Sequence, residues 1–155
     1  MAYQTRTRDP LLETHMQEAI RKRGIAPDAT LTYSAEMTEQ FGYETARKLL
    51  QSMRPPTAFL VSSYITAIGV RRAISRSGLI MGRDVSVVTH DDDLSYLRNG
   101  SDIPSFTATR SSVRNAGRRC AEILLQSIAS GNDAPVQELW ETELMLGSST
   151  GSAPS

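Results

Sequence analysis

Short apolar runs alternate along this chain with helical patterns of ten or more residues, and that alternation constrains the fold more than any other feature. Thr57-Ala58-Phe59-Leu60-Val61 is an apolar run shut in by Pro56 and Ser62, the mark of a strand buried on both faces. Val85-Ser86-Val87-Val88 and Ser105-Phe106-Thr107-Ala108-Thr109 read the same way, Ala29–Tyr33 more weakly, and a last strand is expected around Glu138 to Leu146. Between them lie helical spacings. Asp9-Pro10 opens one that carries Leu12, Met16, Ala19 and Ile20 and stops at Gly24. Thr38 opens a second, with Phe41, Ala46, Leu49, Leu50 and Met53 on its apolar face, ended by Pro55-Pro56. A third runs from about Tyr64 to Ser77 with Ile65, Ile68, Ala73 and Ile74 inside and Gly78 as its cap. Ser111 or Ser112 caps a fourth, bearing Val113, Ala116, Gly117, Cys120, Leu124 and Ile128 and closed by Gly131-Asn132-Asp133. Strand–helix alternation of this kind builds right-handed crossovers and a mostly parallel sheet, hence an α/β fold with helices layered on both faces.

The 155 residues suit one domain able to bury about two thirds of its unfolded surface without disulfides. Residues 1–147 are read as that domain, and the Gly/Ser-rich stretch 148–155 as a flexible polar tail. The single cysteine, Cys120, has no partner for a bridge and is expected to be a small packed residue, which fits a reducing, cytoplasmic compartment. No apolar run is long enough to cross a bilayer, and the N-terminal residues lack the apolar segment of a signal peptide. Lysines and arginines match aspartates and glutamates, 17 of each, which argues against a domain that works by neutralising phosphates. Arg71, Arg72, Arg76, Arg83, Arg110, Arg114, Arg118 and Arg119 fall on outer helix faces and turns, without an aromatic platform or recognition helix, and read as solvated.

Parallel sheets bind ligands at the carboxyl ends of their strands. Three such ends carry polar clusters here: Ser62, Ser63 and Tyr64; then Thr89, His90 and Asp91 to Asp93; then Arg110, Ser111 and Ser112. Hydroxyls, an imidazole and carboxylates on one rim suit a ligand rich in hydroxyls or amides. One of Ser62 and Ser63 is accounted for as a helix cap, leaving the other for ligand, and Asp92 and Asp93 read as a solvated turn. A Ser63–His90–Asp91 triad is disfavoured, because adjacent His and Asp side chains diverge and no Gly-x-Ser-x-Gly elbow surrounds a serine. A metal site at His90 to Asp93 is disfavoured because consecutive residues rarely converge on one ion. With no phosphate loop or dinucleotide fingerprint either, the chain is read as a non-enzyme with no cofactor and no metal.

Five stretches in order then carry a resemblance. Pro56–Val61 with Thr66-Ala67-Ile68-Gly69-Val70-Arg71-Arg72-Ala73-Ile74 is similar to the strand and "A-L-G-hydrophobic-x-x-A-L" helix of LacI/GalR-type bacterial transcription regulators. Asp84–Asp92 resembles their "D-V-S-V-V-G-[FY]-D-D" segment, and Phe106–Arg110 their "L-T-T-[IV]-[RK]" strand. Gly117–Leu125 resembles "G-x-x-A-A-x-x-L-L", and Ser149-Thr150 with Ala153-Pro154 resembles the "S-T-A-P" finish. The resemblance reaches from Asp9 onward and is densest from Pro56 to Thr150.

It implies the C-terminal part of an effector-binding region: a three-layer α/β/α, periplasmic-binding-protein-like type I lobe, truncated. It also implies a cleft for a small effector such as a sugar, a homodimer, and operator DNA bound through an N-terminal helix-turn-helix that this chain lacks. By position Asp91 matches the family's usual effector carboxylate, Ser63 its effector-binding asparagine, Ser111 a polar contact on the crossover strand, and Met37 a ligand-stacking aromatic. His90 and Tyr64 flank these positions, His90 where the family has Phe or Tyr and Ser63-Tyr64 where it has Asn-Asp. Leu12 replaces an effector-clamping arginine, for which Arg8 is the nearby substitute. With the N-terminal lobe missing, the apolar face of the last helix is expected to pack back on this sheet or on a second copy. The alternative reading is a free-standing small-solute (sugar) binding protein.

Overall fold

The computed structural model describes residues 2–5, 10–91, 104–131 and 134–152. The elements run β1 (Ala2–Thr5), α1 (Pro10–Lys22), β2 (Thr32–Ser34), α2 (Glu39–Leu50), β3 (Ala58–Val61), α3 (Tyr64–Arg76), β4 (Ser86–Asp91), β5 (Thr107–Arg110), α4 (Val113–Ser130) and β6 (Glu143–Met145). They form one six-stranded sheet in the order β2-β1-β3-β4-β5-β6. All neighbours are parallel except β5 and β6, which pair antiparallel with Ala108 opposite Met145. The strand order reverses direction after β2, so right-handed crossovers place α1 on one face and α2 and α3 on the other. This is the expected mostly parallel α/β architecture.

Local chemistry explains the helix ends. The Thr38 hydroxyl accepts from the Phe41 N–H at 3.1 Å, and the Ser112 hydroxyl accepts from the Asn115 N–H at 3.2 Å, each satisfying a donor the helix leaves orphaned. Gly131 ends α4 in the left-handed region, φ 64°, where only glycine sits without strain.

The core lies between the sheet and the α2–α3 layer. Phe59, Val61 and Val87 project from alternate strand positions onto Ala46, Leu49, Ala67, Val70, Ala73 and Ile74. The two helices cross on glycines: a Cβ on Gly42 would stand 2.2 Å from the Thr66 carbonyl oxygen, and one on Gly69 would stand 1.9 Å from that of Glu39. Backbones in such contact exclude any side chain. Arg72 seals the layer's outer edge, stacking its guanidinium 4.1 Å over the Tyr43 ring and bonding the Glu39 carboxylate at 3.0 Å.

Several expectations are corrected. β1 was not anticipated, because Gln4 and Thr5 break the apolar run that marks an inner parallel strand. The last strand is confined to residues 143–145 rather than reaching back to Glu138. Met53 lies beyond the end of α2 and is fully exposed, and Ile65 faces outward while Thr66 and Ala67 take the buried positions. Residues 148–151, expected to begin a flexible tail, do not trail free. Ser149 is completely buried, its hydroxyl donating to the Val87 carbonyl and accepting from the Thr107 N–H at 2.8 Å. Its own carbonyl accepts from the Val87 N–H at 2.8 Å. It sits where β4 and β5 splay apart, before their ladder begins at Val88 and Thr107.

The largest departure is α4. No described residue of this helix is buried, and Val113, Leu124 and Ile128 are 50%, 61% and 70% exposed. It does not pack back on the sheet. Cys120 is exposed with it, not packed. Leu139, Trp140, Leu144 and Leu146, from the segment that returns to the sheet, are exposed as well. The two stretches touch each other through Arg119, whose guanidinium bonds the Glu138 carboxylate at 3.0 Å and Glu122 at 3.1 Å. Those carboxylates raise the Arg119 pKa above its ordinary value, and Arg119 in turn holds Glu138 below the usual carboxylate range. No helix among the described residues is long and apolar enough to cross a membrane.

Candidate functional site

The carboxyl ends of β3, β4 and β5 open side by side, and a depression of about 420 Å³ lies between them. Its walls are Leu60, Val61, Ser62, Val88, Thr89, His90 and Thr109. Apolar walls with a few hydroxyls and one imidazole at the mouth make a site that can shield a small molecule and orient it by hydrogen bonds.

Each rim residue is delivered by a strand end or by the turn that follows it. Ser63 is the residue preceding α3, in an extended conformation, yet its side chain makes no capping bond to the helix. The cap therefore does not consume this hydroxyl. The neighbouring Ser62 hydroxyl is engaged, donating to the Met37 sulfur at 3.6 Å. That contact ties Met37, half-buried in the connection before α2, to the same rim. Tyr64 is drawn inward: its ring stands edge-on to the Phe106 ring, centroids 5.4 Å apart at 80°, so the ring body belongs to the core.

β4 continues past Val88 through Thr89 and His90 to Asp91, which carries these polar residues on the strand itself. In the parallel register His90 stands opposite Thr109 and Asp91 opposite Arg110. The His90 ring uses both nitrogens, Nδ1 lying 3.0 Å from the Thr109 hydroxyl and Nε2 3.4 Å from the Ser111 hydroxyl. Ser111 is thus brought to the rim beside His90, while its neighbour Ser112 is the residue that caps α4.

The structure gathers Ser63, His90, Ser111 and Met37 at one end of the sheet, with Asp91 at the tip of β4, and turns the Tyr64 ring to the core. Arg8, Asp9, Asp92 and Asp93 lie outside the described residues, as do Asn99 to Asp102, Asn132 and Asp133. Thr109 was not singled out from the sequence as a site residue; strand register is the signal that finds it, since it is the partner across from His90. Among the described residues no cluster of three or more His, Cys, Asp or Glu could hold a metal ion. Three of the arginines read as solvated are engaged at the surface, Arg83 with Asp84 at 2.9 Å, Arg72 with Glu39, and Arg119 with Glu138 and Glu122, whereas Arg110 at the end of β5 is half-buried.

Comparison with known proteins matches residues 2–150 to the periplasmic binding protein-like domain family. The chain is 41% identical over 136 residues to the HTH-type transcriptional regulator AglR of Rhizobium meliloti, covering 88% of this chain and 38% of that protein. Among solved structures, a LacI transcriptional regulator of Bacillus cereus subsp. cytotoxis superposes with a TM-score of 0.83 at 17% identity, over 96% of this chain and 53% of that one. A cellobiose complex of the transcriptional regulator CelR superposes with a TM-score of 0.81 at 26% identity, over 96% of this chain and 46% of that one. This chain spans well under half the length of the curated relatives it matches, 38% of AglR and 42% of CytR of Escherichia coli.

Proposed function

Because this chain belongs to the periplasmic-binding-protein-like effector domains of LacI/GalR-type transcription regulators, we propose that it senses a small sugar and carries part of the dimer contact. The observation that carries this reading is the rim itself: hydroxyls and an imidazole surround a depression at the ends of three parallel strands, where such sheets take ligands. The relatives are transcription regulators, not enzymes, and one of them is solved with cellobiose. In this reading Asp91, Ser63 and Ser111 bond sugar hydroxyls, His90 stands at the same rim, and Met37 supplies apolar surface near the ring.

The exposed face of α4 and of residues 136–146 is, in the same reading, the seat of a second lobe that completes the cleft. Residues 1–147 form the sensing portion, and the anchored segment through Gly151 belongs with it. DNA contact then resides in sequence outside this chain, and regulation takes place in the cytoplasm.

Titration of the 155-residue chain with cellobiose and maltose, followed by amide chemical shifts, tests the proposal, since that measurement registers even millimolar affinities. Saturable shifts clustered on residues 61–64, 88–91 and 109–112 are expected, and Asp91→Asn should weaken them about tenfold, as loss of a charge-assisted hydrogen bond does. Shifts confined to other surfaces, or none with a broad panel of sugars, would refute sugar sensing.

A further inference from the structure

The imidazole at the mouth has a more specific part to play, one that rests on the sugar-sensing reading and changes the role of His90 within it. A free serine hydroxyl rotates about its C–O bond and offers a ligand either its hydrogen or its lone pairs. Ser111 is not so free, because His90 Nε2 stands 3.4 Å from its oxygen. The same ring is held from behind, with Nδ1 3.0 Å from the Thr109 hydroxyl. The fold makes the bridge natural. Thr109 faces His90 in the parallel register, and Ser111, two residues further along, follows on the same face. Ser112 leaves the arrangement undisturbed, its hydroxyl being engaged by the Asn115 N–H at 3.2 Å.

We propose that His90 is a positioning residue: bridged between Thr109 and Ser111, it sets whether the Ser111 hydroxyl meets a sugar hydroxyl as donor or as acceptor. The neutral ring carries a donor on one nitrogen and an acceptor on the other, so it transmits direction. When Thr109 donates to Nδ1, the Nε2–H donates to the Ser111 oxygen, and the Ser111 hydrogen is left to point at the ligand. In the other tautomer the Nδ1–H donates to Thr109, Ser111 donates to Nε2, and Ser111 shows the ligand lone pairs. A hydroxyl-bearing ligand is served by either arrangement, because each of its hydroxyls both donates and accepts. The sugar contact then belongs to Ser111, with His90 behind it.

The imidazole nitrogen resonances of the 155-residue chain test this without any ligand, since His15 and His90 are its only histidines and His15→Gln identifies which is which. Ser111→Ala should move the Nε2 resonance of His90 and Thr109→Val its Nδ1 resonance, with Thr109→Ser leaving Nδ1 in place should the valine variant fail to fold. An Nε2 resonance that ignores Ser111→Ala overturns the proposal. A second arm uses cellobiose as the probe. His90→Gln, whose amide reaches about as far as Nε2, should bind within about twofold of the parent. His90→Asn, which reaches only as far as Nδ1, should weaken binding about fivefold, as Ser111→Ala does, and the double variant should be no weaker than Ser111→Ala alone. Additive losses would mean that His90 touches the sugar itself and would overturn the positioning role. If the parent chain binds no sugar of a broad panel, the sugar reading fails, while the imidazole spectrum still decides whether His90 holds Ser111.

Discussion

The α2–α3 layer and helix α4 carry comparable apolar stripes, yet the molecule treats them in opposite ways. On α2 and α3 the stripe is consumed: Ala46, Leu49, Ala67, Val70, Ala73 and Ile74 are all buried against the sheet, and the two helices touch backbone to backbone through Gly42 and Gly69. On α4 the stripe is offered: no described residue is buried, and a Cβ added to Gly117 would meet nothing within 4 Å. Helical periodicity states only that a face wants a partner. Whether the partner lies within the same stretch of chain is a separate matter, decided by where the connections lead. α2 and α3 each carry the chain from one parallel strand to another and lie on the sheet as they cross it, whereas α4 leaves the sheet after β5 and the chain returns only at the antiparallel β6.

Matched substitutions in the two regions should sharpen the contrast. Ile74→Ala, at a fully buried position, is expected to cost about 2–5 kcal/mol in chemical denaturation, and Leu124→Ala at the equivalent depth of the α4 stripe less than about 0.5. Equal losses would show that α4 is packed in solution. Gly69→Ala forces a methyl onto the Glu39 carbonyl and should cost about 1–3 kcal/mol, whereas Gly117→Ala should gain up to about 1 kcal/mol from helix propensity. Ser149→Ala leaves the Val87 carbonyl and the Thr107 N–H without their hydroxyl partner and should cost about 1–3 kcal/mol, read from the thermal midpoint.

The smallest effect belongs to Arg119 and Glu138, the pair that joins α4 to the returning segment. Arg119 holds the Glu138 carboxyl below its usual range, so any stabilisation is present above the ordinary carboxylate pKa and is lost as pH falls through the depressed value. Glu138→Gln should abolish that acid-side dependence, and raised salt should mask it in the parent, because both groups are exposed to solvent screening. A pH response that survives Glu138→Gln would place its origin elsewhere.

Much of the first region could be read from residue order. Pro56 and Ser62 bracket β3, Thr38 caps α2, and Gly78 and Gly131 take the left-handed conformation at the ends of α3 and α4. What escaped was what periodicity does not encode. β1 is held by neighbours on both sides and needs no apolar run of its own. Ile65 and Thr66 exchange the burial their hydropathies suggest, because Gly42 brings a backbone to the place where only a small side chain fits. At the site, composition pointed to the rim, and His90, Ser63 and Ser111 were visible as polar residues after strands. The link from His90 to Thr109 was not visible, since it depends on the register between two strands nineteen residues apart. Tyr64 misled for a related reason: a tyrosine next to a polar turn looks solvent-facing until Phe106, the residue before β5, arrives to take its ring.

The buried Ser149 has a consequence for how the chain is made. Val87 and Ser149 are separated by 62 positions, and the amino end of β4 has its hydrogen bonds completed only when the later residue arrives. A nascent chain can therefore assemble β3, α3 and the upper part of β4 while synthesis continues, but the gap between β4 and β5 stays open until residue 149 has been added. Released chains ending at residue 148 and at residue 152 should differ in protease resistance, the longer one being the better protected.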